Sequence, residues 1–153
     1  MIDLERADLL AAAFHCGHEF VMPDLLFERE FGEDDLGMLN MGLQIEALSS
    51  EELQLAQNSH RTIKALSLPD CFAIALATRP NYSLLSGDKA LRQVAESLAI
   101  ECHGVLWLMD EMLASGASSR KQLSTGLRFL ADHPRCRLPR AEIDVRLKRW
   151  LKD

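Results

Sequence analysis

The chain has 153 residues, of which 48% are hydrophobic and 26% are charged, a composition typical of one globular domain with a substantial core. It has no apolar run near the roughly 20 residues that cross a bilayer, and the three acids among its first ten residues do not fit a secretory signal. The four scattered cysteines predict reduced thiols in a cytoplasmic protein, and the net charge of −6 by itself argues against a nucleic-acid partner.

Helix and strand patterns alternate along the chain. Apolar residues three or four apart identify helices, and Pro23, Pro69 and the Ser49–Glu52 capping box mark helix starts. Short alternating or β-branched runs identify strands. In chain order we predict a helix over 3–14, a strand over 19–22, a helix over 23–31, a strand over 43–48, helices over 49–64 and 70–78, a strand over 82–86, a helix over 88–98, a strand over 100–103, and helices after Gly104 with breaks at 115–118 and 133–139.

This alternation predicts the fold class. Strands that alternate with helices pair in parallel, so we expect a three-layer α/β/α sandwich with a parallel sheet. In open sheets of this kind, ligands bind at the carboxyl ends of the strands. Three acids follow or flank predicted strands: Glu28 on the helix after the first strand, Asp70 in the first turn of helix 70–78, and Asp88 directly after strand 82–86.

Each of the three acids also has an ordinary structural explanation. Asp70 can complement a helix dipole, Asp88 can cap a helix, and Glu28 can be a solvated surface residue. Together, carboxylates that converge at strand ends make an oxygen-rich site that suits Mg²⁺ or Mn²⁺. A metal held there can activate water and neutralise charge on a phosphodiester.

The charge is unevenly distributed. Residues 1–117 hold 7 Lys/Arg and 19 Asp/Glu, whereas residues 118–153 hold 10 Lys/Arg and 4 Asp/Glu. The basic segment can bind a phosphate backbone, bind an acidic partner, or dock on the acidic body of its own chain. A solvated helical face is the structural alternative, because exposed Lys and Arg are common.

Residues 66–77 (LSLPDCFAIALA) and 82–92 (YSLLSGDKALR) resemble the second half of a PIN domain. That family pairs an aspartate opening a small-residue helix with a strand ending in Ser/Thr-Gly-Asp and a helix beginning Leu-Arg. Residues 20–28 (FVMPDLLFE) resemble its second strand and acid-bearing helix, although Glu30 is one plausible shift from Glu28. The resemblance implies that Glu28, Asp70 and Asp88 are metal-site acids.

The two ends of the chain complete this comparison. Residues 137–142 (RLPRAE), leading to Trp150, are similar to a bacterial PIN subgroup with a helical extension, so we predict a PIN-like domain over 1–115 and a basic helical extension over 116–153. PIN domains begin with a strand ending in a fourth acid. Here the chain opens as the helix after that strand, so we expect the strand to be missing and Asp3 to cap the helix. In an alternative register, Met1-Ile2 is a stub of the strand and Asp3 is the fourth acid.

The resemblance implies a metal-dependent endoribonuclease that acts on RNA, and it is compatible with the toxin of a toxin–antitoxin pair whose partner is an antitoxin protein. Lys89 and Arg92 are the residues that we expect to meet RNA phosphates. A missing central strand predicts a gap in the sheet, which dimerisation or rearrangement fills, so we expect a homodimer. The alternative function is a non-catalytic PIN-like binding module that has lost the first metal-site acid.

Overall fold

The computed structural model describes residues 2–31 and 36–152, which fall into two compact units. The first unit combines residues 2–18 with residues 105–152, and the second unit is Glu19–Gly104. The predicted division into 1–115 and 116–153 stays a prediction. No helix in these residues is both long enough and apolar enough to span a membrane.

The predicted alternation of helices and strands is confirmed, with bounds shifted by a few residues. In chain order the elements are α1 (Ile2–Arg6), α2 (Leu10–Ala13), β1 (Val21–Pro23), α3 (Asp24–Glu30), α4 (Gly37–Met41), β2 (Gln44–Glu46), α5 (Ser50–Thr62), α6 (Leu68–Ala77), β3 (Leu84–Leu85), α7 (Lys89–Ser97), β4 (Cys102–His103), α8 (Val105–Ala114), α9 (Arg120–Asp132) and α10 (Arg140–Trp150). Helix α4 was not predicted.

The helix predicted over 3–14 is wrong as one element, because the chain turns between α1 and α2. Asp8 has a positive φ of 56°, and the Leu9 N–H donates to the carbonyl of Leu4 (2.8 Å). This is the six-to-one hydrogen bond of a helix C-terminus closed by a left-handed residue. Leu4 and Leu9 are both buried, so the turn keeps both side chains in the core.

Helix α6 is the centre of the second unit. It packs against α3, α5 and α7 and against strands β1 and β3. Its side chains Cys71, Phe72, Ile74, Ala75 and Leu76 are buried in one apolar cluster, which explains why this helix reads as almost uniformly hydrophobic.

The strands form two separate parallel pairs instead of one sheet. Strand β1 pairs with β2, with Met22 opposite Ile45, and β3 pairs with β4, with Leu84 opposite Cys102. Among the described residues no further strand joins the two pairs, and the gap expected from a missing first strand stays a prediction. The short parallel pairs and numerous helices are compatible with an α/β fold of PIN type, and the three-layer sandwich stays a prediction.

The first unit is helical throughout. Helices α1 and α8 pack against α9, and α2 packs against α8. Gly126 allows α9 to lie close to the turn between α1 and α2, since a Cβ at this position would lie 2.7 Å from Leu9 Cδ1 and 3.3 Å from the Ala7 carbonyl oxygen. Helix α10 is attached through Arg146, whose Nε donates to Asp110 Oδ2 (2.9 Å) on α8.

Candidate active site

Asp70 lies in the first turn of α6 and completes a capping box. The Ser67 hydroxyl oxygen accepts from the Asp70 N–H (3.2 Å), and Asp70 Oδ2 accepts from the Ser67 N–H (2.9 Å) and hydroxyl (2.7 Å). Asp70 Oδ1 has no hydrogen-bond partner among the described residues. Burial, helped by the Asp70 charge, raises the pKa of the adjacent Cys71 thiol, so Cys71 stays a protonated core residue.

Asp88 is the N-cap of α7, directly after β3. Its Oδ1 accepts from the Leu91 N–H (2.9 Å), while its own N–H donates to the Ser86 hydroxyl oxygen (3.1 Å). Within the part of the chain that the structure describes, nothing hydrogen-bonds to Asp88 Oδ2. The capping explanation is therefore correct for Asp88. Asp70 lies in the first turn, where an acid complements the helix dipole, and it also completes a capping box that was not predicted; each carboxylate still keeps one oxygen for a ligand.

The other two predicted acids are exposed. Glu28 lies near the end of α3 and has no ion pair or side-chain hydrogen bond with another described residue. Asp3 lies in the first turn of α1, in the first unit. For the alternative register, Met1 lies outside the described residues and Ile2 begins α1, so a role for Asp3 as a fourth acid stays a prediction.

The three acids of the second unit lie on neighbouring elements, because α6 contacts both α3 and α7. Within residues 2–31 and 36–152, however, no three His, Cys, Asp or Glu side chains form a group that could hold a metal ion. The free oxygens of Asp70 and Asp88 fit metal ligation one residue at a time, but the described side chains do not make a preformed three-ligand site. Convergence of Glu28, Asp70 and Asp88 in one pocket stays a prediction.

The two predicted phosphate contacts lie on α7, in the turn after Asp88. Lys89 is exposed at the first helical position. Arg92 is also exposed, and its Nε donates to the carbonyl of Ser86 at the end of β3 (3.2 Å). The Ser86 contact holds the Arg92 guanidinium beside the carboxyl end of β3, where a bound anion would meet it.

A charged network around Arg79 was not predicted. The Arg79 guanidinium donates to Glu46 on β2, to Glu52 on α5 (Nε to Oε1, 2.7 Å) and to the carbonyl of Ala47 (2.8 Å). Tyr82 also donates to Glu46 (3.0 Å). Arg79 is 27 residues from Glu52 and 33 residues from Glu46 in sequence. Charged pairs so far apart leave no periodic pattern in the sequence, so only the folded chain reveals them. This network fixes the amino-terminal side of β3, away from Asp88.

We expect the Arg79 network to make stability depend on pH in the acid range. The hydrogen bond from Arg79 is the main reason that the pKa of Glu52 is lowered below 4.5. A carboxyl group with a lowered native pKa stabilises the fold above its unfolded pKa, and this stabilisation is lost as the pH falls through the native pKa. Glu52→Gln keeps a capping-box side chain for Ser49 but removes the charge.

The measurement is urea unfolding of both proteins at pH 7 and near pH 3. The loss of unfolding free energy between the two pH values should be smaller in Glu52→Gln than in the parent. Equal losses in the two proteins would show that the Arg79–Glu52 pair does not stabilise the fold.

Comparison with known proteins gives one match. The family model described as "DUF3368: PIN domain" matches residues 1–152, so the match covers all of the second unit and the first unit through residue 152. No curated protein and no solved structure matches the chain.

Proposed function

Since this chain belongs to the PIN-domain family, we propose that it is a metal-dependent endoribonuclease, a hydrolase of RNA phosphodiester bonds. The observation that carries the proposal is the family match over 1–152, because it includes the Asp70 and Asp88 motifs in their full context. The placement of both aspartates at helix starts, each with an oxygen free of hydrogen bonds from described residues, supports it.

In this proposal Glu28, Asp70 and Asp88 would hold Mg²⁺ or Mn²⁺, with Asp3 as the alternative fourth acid. The metal supplies an activated water and neutralises phosphate charge. Lys89 and Arg92 bind the RNA phosphates, and the Ser86 carbonyl orients the Arg92 guanidinium for this contact. Helix capping orients the Asp70 and Asp88 carboxylates, since each has one oxygen fixed by a hydrogen bond.

We propose that the protein acts in the cytoplasm as the toxin of a toxin–antitoxin pair, and that it forms a homodimer. The four free cysteines suit a reducing compartment. The edge of β3 opposite β4 supports dimerisation: Leu84 and Ser86 donate their N–H groups to the carbonyls of Glu101 and His103, so the backbone of Leu85 between them points to the other side, where no described strand pairs with it. A strand edge without a partner can pair with a strand of a second copy.

The test is cleavage of a labelled single-stranded RNA by the purified protein in Mn²⁺, in Mg²⁺ and in EDTA. We expect internal cleavage that requires a divalent cation. Cleavage that persists in EDTA would contradict the metal assignment.

The second candidate function is a non-catalytic PIN-like binding module. It is favoured by the lack of a three-acid group among the described residues, because two-metal cleavage needs enough carboxylates to fix both cations. No RNA cleavage in any metal, together with tight capture of a protein partner, would support this candidate over the nuclease.

A further inference from the structure

The C-terminal helices of the first unit carry a dense set of cations. Helices α9 and α10 pack against each other and are joined by residues 133–139; we call residues 120–152 the basic hairpin. Residues 118–153 hold ten Lys/Arg against four Asp/Glu, a net charge of +6 in a chain whose total is −6.

Two of these cations have a structural role. Arg146 donates to Asp110 (2.8 Å) and to Glu142 (2.8 Å), and only 15% of its side chain is exposed. Arg149 also donates to Asp110. These contacts attach α10 to α8, and the mostly buried Arg146 has little surface left for an external anion.

The remaining cations are exposed, and most have no acidic partner. Arg120 donates to the backbone carbonyl of Lys152 (3.2 Å). Seven others form no ion pair with any described residue: Lys121, Arg128, Arg135, Arg137, Arg140, Lys148 and Lys152. Repulsion among so many unpaired like charges costs free energy in the isolated chain, and a polyanion would remove that cost.

An aromatic ring lies among these charges. Phe129 is 53% exposed on α9, next to Arg128. Lys121, Thr125 and Arg128 are exposed at positions i, i+4 and i+7 and thus share one face of α9, and Phe129 follows Thr125 by four residues. Leu123 and Leu127 are buried on the opposite face, so the core does not need the Phe129 side chain.

We propose that the basic hairpin is a binding surface for single-stranded RNA, with Lys121 and Arg128 on the phosphates and a base stacked on Phe129. Taking RNA as the polyanion rests on the proposed function. Cations that follow the backbone beside an exposed aromatic ring are the arrangement by which proteins bind single strands without reading sequence. An acidic protein partner fits less well, because interface centres are apolar and the hairpin exposes three large apolar residues against seven unpaired cations.

The test measures binding of a fluorescent oligouridylate by anisotropy in EDTA at several salt concentrations, so that cleavage does not contribute. Lys121→Gln with Arg128→Gln should weaken binding and reduce the slope of log K against log salt by about 1.4, or 0.7 for each lost phosphate contact. The matched control is Arg61→Gln with Lys64→Gln, which removes two exposed cations from the second unit, one in the last turn of α5 and one just after it; this variant should bind as the parent does.

A second pair of variants tests stacking separately from charge. Phe129→Leu keeps an apolar side chain but removes the π-face, and it should weaken binding about tenfold with the salt slope unchanged. Phe129→Trp should retain the affinity of the parent. Melting curves of all variants establish that the hairpin is folded.

Three outcomes overturn the inference: equal salt slopes for the parent and the Lys121/Arg128 variant, equal affinities for Phe129→Leu and the parent, or binding of polyglutamate in place of RNA. The last result would identify an acidic protein surface. RNA binding that depends on these residues without cleavage in Mn²⁺ would leave this inference intact and refute the nuclease. Cleavage that none of the variants changes, together with unchanged binding, would refute the inference and leave the nuclease intact.

Discussion

Asp70→Asn combined with Asp88→Asn is expected to abolish Mn²⁺-dependent RNA cleavage while leaving the free energy of unfolding nearly unchanged. Cleavage and stability should respond differently because each aspartate, in the proposal, both binds the metal and accepts the hydrogen bonds that cap a helix. At the Asp88 N-cap, asparagine is as good as aspartate, and at Asp70, the third residue of α6, it retains an oxygen that can accept the capping-box hydrogen bonds from Ser67. It carries no negative charge, so it is a poor ligand for a hard divalent cation.

The measurements are RNA cleavage and melting with and without Mn²⁺. In the parent, Mn²⁺ should raise the melting temperature, because a ligand that binds only the native state stabilises it. The double variant should not show this rise in melting temperature. Its cleavage rate should fall at least about 100-fold, since mutating residues that only support the metal ligands can already lower activity by that factor.

Two further variants separate charge from capping. Glu51→Gln with Glu96→Gln removes two exposed charges from the same unit and should change neither measurement. Asp88→Ala should lose cleavage and also about 1 kcal/mol of stability, because it removes the cap. If the Asp70/Asp88 double variant responds to Mn²⁺ as the parent does, the proposed site is wrong.

Gly126→Val is expected to destabilise the protein by about 3 kcal/mol. A Cβ at residue 126 would already lie 2.7 Å from Leu9 Cδ1 and close to the Ala7 carbonyl, and valine adds two methyl groups. Leu9 is buried and the Ala7 contact is backbone, so neither neighbour can move away without disturbing the turn between α1 and α2.

Ser124→Ala, two residues earlier on α9, is the matched substitution with the opposite expectation. The Ser124 hydroxyl is buried and has no hydrogen-bond partner among the described residues. Removing it should change the unfolding free energy by less than about 0.5 kcal/mol or stabilise the protein slightly, because alanine also favours a helix. Urea unfolding of both variants is the check. A Gly126→Val protein as stable as the parent would show that α1 and α2 do not need this close approach.

Sequence signals that act within a few residues predicted structure well. The Ser49–Glu52 capping box forms as expected, and α7 begins directly after Asp88. The break at Asp8 was not predictable from periodicity, because Leu4, Leu9, Leu10 and Ala13 fit one continuous helix. The turn residues Ala7 and Leu9 pack against Gly126, more than a hundred residues away, and sequence periodicity carries no information about such a contact.

The candidate site was predictable in residue type and local position but not in assembly. Asp88 caps α7 directly after the predicted strand, and Asp70 lies in the first turn of α6, which begins two residues before its predicted start. Whether such carboxylates also converge depends on how α3, α6 and α7 pack, and sequence spacing carries no information about that. Capping and metal ligation use the same residue types, so sequence alone could not show that both aspartates already hold a hydrogen bond.

The first unit joins the two ends of the described chain, and this has a consequence during synthesis on the ribosome. Helices α1 and α2 pack with helices that begin at Val105 or later, whereas the second unit, Glu19–Gly104, is one continuous segment that emerges before them. At about 5–20 residues per second, the nascent α1 and α2 wait several seconds for α8 and α9. During that interval we expect their apolar side chains to be exposed to chaperones and proteases, because α8 and α9 have not yet been synthesised.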